Sequence, residues 1–310
     1  MTRIDASDGT ISAALGASGT GRAIVYLHGV GGPMSRKKFI KHLGTGLKKV
    51  KHLDDDPWVD ALTIPSYIPE LKRRRRAGRP LRDLTWSFGS PTTPQDAEEY
   101  LQRSAAVRLV ASQYRKNPGR WRPSGTGKAV DKVFGIVASI AHGGQQGTIA
   151  VSWPIRRALK AMGKHEFLRA GDYLGSRTTR HRVLSAVLDQ WPTESRVLVI
   201  AHSLGSVVLV DLLGRLPEGA VVDVITVGSP LAGPGFRRRA RRLNGRFPYS
   251  RVNSWVNVRD PNDLVAWYGG LSHLLPGVVD VKVDTDGSHD APDYLRRKPV
   301  AAMVASFLCR

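Results

Sequence analysis

The run Val197-Leu198-Val199-Ile200-Ala201 passes, with no polar loop between, into His202-Ser203-Leu204-Gly205 and then into a second apolar run, Ser206-Val207-Val208-Leu209-Val210. Few local patterns restrict a fold as strongly. An unbroken apolar stretch rich in β-branched residues fits a strand covered on both faces, and the stretch after the turn fits a buried helix. A strand and a helix joined this tightly approach so closely that the residues flanking the turn must be small, which Ala201 and Gly205 are. Ser203 is then held at a strained backbone position, with its hydroxyl presented above the end of the strand. The backbone N–H of Leu204, at the helix start, is available to a developing oxyanion.

The rest of the chain supplies partners for such a strand. Apolar runs at residues 23–28, 58–64, 196–201, 221–227, 254–258 and 278–283 read as strands. Helices are expected from the Ser35 cap to about Val50, over 178–191, over 205–213, and from Asp293 onward, where Val300, Met303, Val304 and Phe307 share one face. This alternation predicts an α/β protein with a mostly parallel sheet flanked by helices on both faces. Residues 67–171 interrupt it with an arginine cluster at 73–76 and the turn sequence Ser-Pro-Thr-Thr-Pro at 90–94. Inside this insertion Thr93 caps a helix, with Pro94 at its first position and Asp96, Glu98 and Glu99 in its first turn. Residues 133–141 form an apolar stretch too short to span a membrane. The chain therefore divides into a first core segment (1–66), an insertion (67–171) and a second core segment (172–310).

The Ala201-His202-Ser203-Leu204-Gly205 turn, together with Leu27-His28-Gly29-Val30-Gly31-Gly32 after the first strand, resembles the α/β-hydrolase superfamily, of the lipase and esterase type. The resemblance covers roughly residues 22–66 and 172–308. It implies an α/β-hydrolase fold, Ser203 as nucleophile, and the Val30 and Leu204 amides as an oxyanion hole, with His28 organising its loop. It also implies that the insertion before the nucleophile strand is a helical cap or lid. The family's chain order of Ser, acid and His leaves His273 and His289 as candidate bases. His289 is favoured by its place in the turn Asp284-Thr285-Asp286-Gly287-Ser288-His289, after the last strand. For the acid, both Asp260 and Asp263 follow the fifth strand. Asp263-Leu264-Val265 is closer to the family pattern, and Asp260 before Pro261 is also a natural turn former.

The reaction implied is cleavage of a carboxylic ester, small or lipid-like, through an acyl-enzyme, with no cofactor and no metal. An acyltransferase or a thioesterase would use the same residues. A different reading comes from charge. Lys and Arg number 47 against 26 Asp and Glu, a formal net charge of +21. The residues from 237 to 251 include seven arginines and no acid. Such fields attract phosphate-rich partners, so a nucleic-acid or membrane-surface binding protein on a hydrolase scaffold is the alternative, and a solvated basic face is the simpler account of the same residues. A single cysteine, Cys309, excludes an intrachain disulfide, and the first ten residues lack the apolar run of a signal peptide. The expectation is a cytoplasmic protein without a transmembrane segment. Two weaker motifs are set aside. Ser124-Gly125-Thr126-Gly127-Lys128-Ala129 lacks the outer residues of a phosphate loop, and Asp54-Asp55-Asp56 is more simply a solvated loop.

Overall fold

The computed structural model describes residues 21–50, 58–72, 170, 172–233, 236, 249–266, 268–275 and 277–308. In these residues the strands are β1 (Arg22–Leu27), β2 (Leu62–Thr63), β3 (Arg196–His202), β4 (Val221–Val227), β5 (Val252–Arg259) and β6 (Val279–Lys282). They form one sheet in the order β2-β1-β3-β4-β5-β6, and every neighbouring pair is parallel. The central strand β3 pairs along its whole length with β4, from Arg196 opposite Val221 to His202 opposite Val227.

Side chains alternate across this sheet, and both faces are buried, which is why the strands read as continuous apolar runs. From β3, Leu198 and Ile200 join Ile24, Tyr26, Ile225 and Val256 on one face. Covering that face are α1 (Arg36–Lys48), α5 (Ala291–Leu295) and α6 (Lys298–Leu308), through Phe39, Leu43, Tyr294, Val300, Met303 and Val304. Val197, Val199 and Ala201 point the other way, into a second layer with α2 (Ile68–Lys72), α3 (Arg177–Leu188) and α4 (Leu204–Leu213). Helix α4 carries no polar face, and all ten of its residues are buried.

Two elements differ from the sequence expectation. The strand expected over 58–64 shrinks to the pair Leu62–Thr63. The residues before it turn instead of extending: Leu62 N–H donates to Val59 O at 3.3 Å, and the Arg36 guanidinium takes the carbonyls of Val59 and Leu62. The C-terminal helix expected from Asp293 is two helices. Pro299 has no N–H to give the carbonyl of Leu295, four residues back, so the first helix stops at Leu295 and the second starts at Lys298.

Of the residues assigned to the insertion, Tyr67, Ile68 and Leu71 at one end and Ala170 at the other are buried in the second layer, beside Tyr173. The expected helix from Thr93, the apolar stretch 133–141, the arginines at 73–76 and most of the basic segment 237–251 lie outside the described residues. Among the described residues no helix is long and apolar enough to cross a membrane.

Candidate active site

Strand β3 ends at His202 and α4 begins at Leu204, so the whole reversal of direction falls on Ser203. Its backbone has φ 52° and ψ −124°, a region that L residues rarely occupy. Neighbours hold it there. The Ser203 N–H donates to Val227 O at 3.2 Å, and its carbonyl accepts the Ser206 N–H at 3.0 Å and the Ser206 hydroxyl at 2.6 Å. Ser206 Oγ in turn lies 2.8 Å from Ser229 Oγ. The close approach expected at Gly205 is present, since a Cβ there would stand 2.2 Å from the Leu27 carbonyl oxygen. Glycine is therefore the one residue that lets α4 pass over the end of β1.

His289 sits in the turn between β6 and α5, and Asp263 in the turn after β5. The His289 ring bridges the other two residues, with Nε2 at 2.8 Å from Ser203 Oγ and Nδ1 at 2.8 Å from Asp263 Oδ2. A carboxylate can only accept, so Nδ1–H donates to Asp263 and Nε2 is left to accept the serine hydroxyl proton. Ser203 and Asp263 are buried, and His289 is partly open to a cleft of about 310 Å³. Ser203, His202, Val30, Lys38 and Asp290 are among the residues that line this cleft with His289.

The structure separates the sequence candidates. Asp260, also fully buried, turns its carboxylate away from the imidazole and onto the histidine's own loop. Its Oδ2 accepts from Thr285 N–H at 2.6 Å, Thr285 Oγ1 at 2.7 Å and Gly287 N–H at 3.1 Å, while Oδ1 accepts from Asn262 N–H at 2.7 Å. Asp260 is thus a clamp on the turn that carries His289. His273 is exposed on the 268–275 loop and takes no part in the Ser203 chain of hydrogen bonds. Val30 is on the cleft wall, and Leu204 is the first residue of α4, where a helix leaves its N–H groups without intrahelical acceptors. His28 is buried beneath its glycine loop. Its Nδ1–H donates to Gly29 O at 2.8 Å, its ring stacks on Tyr67 at 4.0 Å, and the Tyr67 hydroxyl donates to the His28 carbonyl.

The electrostatics agree with this geometry. Burial works to raise the Asp263 carboxyl, but the facing His289, its hydrogen bond, the Tyr294 hydroxyl and the Val265 N–H together hold it below the usual carboxylate value. Burial pushes His202 down to about 3, helped by the neighbouring His289, and pushes His28 down to about 4. Both are therefore neutral rings at neutral pH.

No family model, curated protein or solved structure matches this chain. Among the described residues no group of three or more His, Cys, Asp or Glu is placed to hold a metal ion.

Three residues make contacts at this site that the sequence pattern does not announce. His202 donates from Nε2 to the carbonyl of His289 at 2.8 Å, holding that residue from its backbone side. Gly228, at φ +56°, packs against both His289 and Asp263. Tyr294, on α5 and fully buried, donates its hydroxyl to Asp263 Oδ2 at 2.7 Å. A tyrosine five residues after the candidate histidine was the available clue, but helical spacing says only that it faces the core.

Proposed function

We propose that this protein is a serine hydrolase of the α/β-hydrolase type, cleaving a carboxylic ester through an acyl-enzyme on Ser203. The observation that carries the proposal is the unbroken chain from Ser203 Oγ through His289 to Asp263, with both links at 2.8 Å. A serine hydroxyl is a weak nucleophile until a base within hydrogen-bond reach takes its proton, and that base needs an acid to fix its tautomer.

In the first step Ser203 Oγ attacks the ester carbonyl while its proton passes to His289 Nε2. Asp263 keeps the ring oriented and balances the imidazolium that forms. The negative charge on the carbonyl oxygen is met by the Leu204 amide, at the positive end of α4, and by the Val30 amide of the glycine loop. His289 then returns the proton to the departing alcohol oxygen, leaving an acyl-serine. Water, deprotonated by the same Nε2, attacks the acyl carbon, and the acid is released with Ser203 restored. An acyltransferase or a thioesterase would run the same steps with another acceptor or a thiol leaving group. The insertion 67–171 is assigned as a cap, because it follows the C-terminal end of β2, which is parallel to β1 and β3 and so ends on the side of the sheet where Ser203 lies.

Chromogenic acyl esters test the proposal. The expected result is a burst of one equivalent of alcohol followed by slower turnover, with added alcohol acceptors separating transfer from hydrolysis. No turnover of oxygen esters or thioesters, with or without acceptors, would count against it.

A further inference from the structure

We infer that Tyr294 is a positioning residue of this site, its hydroxyl fixing the Asp263 carboxylate and sharing that carboxylate's charge with His289. The inference rests on the serine-hydrolase reading and adds a fourth member to its hydrogen-bond chain.

Asp263 Oδ2 accepts two hydrogen bonds, from His289 Nδ1 at 2.8 Å and from Tyr294 Oη at 2.7 Å, while Oδ1 accepts from the Val265 N–H at 2.9 Å. The direction of the tyrosine bond is settled by its other partner. The backbone N–H of Asp260 donates to Tyr294 Oη at 3.1 Å, so the phenol accepts there and its own proton points to Asp263. Tyr294 is fully buried, and burial followed by the adjacent Asp263 raises its pKa, so it remains a neutral donor at every pH where the protein is folded.

A phenol on the oxygen that faces the imidazole does two things. It holds the carboxylate plane from the Oδ2 side, as the Val265 N–H holds it from the Oδ1 side. It also draws charge from Oδ2, weakening that oxygen's hold on a protonated His289 and favouring the neutral ring that a general base must be. The other groups around the pair do not duplicate this role. Ser203 is the proton donor, His202 is a neutral ring held at the His289 carbonyl, and Asp260 is turned to the Thr285 and Gly287 amides. Asp290 and Lys38 lie on the cleft lining, outside the hydrogen bonds to Asp263.

The test is the pH profile of kcat/KM for an ester, for the full chain with Tyr294→Phe and with a fluorinated tyrosine incorporated at 294. Fluorination keeps the hydroxyl but makes it a stronger donor. Tyr294→Phe is expected to lower kcat about ten-fold and to move the acidic limb up by about half a pH unit. The fluorinated residue is expected to keep kcat near wild type and move the limb down. An unmoved limb in the fluorinated protein overturns the inference even where Tyr294→Phe is too unstable to assay, because a merely structural hydroxyl would not transmit donor strength. Labelling of the wild-type protein by a fluorophosphonate separates the two readings. A labelled wild type with an unmoved limb removes Tyr294 alone, whereas an unlabelled wild type removes the hydrolase reading beneath it.

Discussion

Gly228 faces His289 so closely that a Cβ at 228 would stand 3.2 Å from both Cε1 and Nδ1 of the ring and 3.2 Å from Asp263 Oδ2, contacts that the ring or the carboxylate could meet only by shifting a few tenths of an ångström. The backbone there has φ +56°, which any L side chain also resists. Gly228→Ala is expected to cost about 1–3 kcal/mol of stability. It is also expected to lower ester turnover at least ten-fold, because the ring must tilt out of line with Ser203. Thermal unfolding and steady-state kinetics check both parts. Full activity in a folded Ala variant would mean that the imidazole is not held where it is seen.

Asp260 and Asp263 are three residues apart and both buried, yet their substitution should fail in different ways. Asp263→Asn is expected to drop kcat by about 10⁴ in a protein that still folds, since an amide offers the wrong partner to Nδ1–H. Asp260→Asn is expected to act chiefly on folding, at a cost of about 2–4 kcal/mol, because three donors converge on Oδ2 and an amide nitrogen in that place would repel them. Chemical denaturation beside kinetics on both variants decides it. A reversed ranking of the two rates would give Asp260 the role assigned to Asp263.

Acid should destabilise the fold through two histidines that titrate only on unfolding. His202 is lowered to about 3 and His28 to about 4, against a usual value near 6.5. Between those values and about 6.5 the unfolded chain binds protons that the folded chain does not, so stability rises with pH across the window and falls as pH drops through it. Each ring contributes a slope of up to about 1.4 kcal/mol per pH unit. Urea unfolding between pH 7 and pH 4.5 should show this. His202→Gln, which keeps a donor for the His289 carbonyl, should make the slope shallower, and an undiminished slope would argue that His202 is not held as a neutral ring.

Much of this arrangement is legible in the sequence, for a physical reason. The elbow demands small residues and a strand-to-helix reversal, and both are written locally at Ala201, Ser203 and Gly205. The buried strands announce themselves because both faces of the sheet are covered. What the pattern does not carry is contact between distant turns. Tyr294 reads as one more core residue of a C-terminal helix, and its bond to Asp263, 31 residues away, depends on where α5 lies on the sheet. The break between α5 and α6 is written in Pro299, but a helix start at Asp293 followed by the apolar face from Val300 to Phe307 reads as one continuous helix. The expected strand over 58–64 is longer than β2 because an apolar residue can be buried without being in a strand: Trp58 packs in the core from a turn.

The net charge of +21 predicts a dependence on substrate charge. A protein of this field should concentrate anionic substrates at low salt. For anionic and neutral esters of equal chain length, kcat/KM for the anionic ester should be the higher and should collapse toward the neutral one as salt rises. Equal and salt-independent rates would assign the basic residues to solvation alone.

Whether Ser203 Oγ is an activated nucleophile can be read by covalent capture. The protein is incubated with a fluorophosphonate, its intact mass is measured, and the modified peptide is mapped, in parallel with a Ser203→Ala variant whose fold is checked by circular dichroism. A single adduct on Ser203 is expected, and none on the folded Ala variant. An unmodified wild type, or an adduct that persists when Ser203 is replaced, would contradict the assignment of Ser203 as nucleophile.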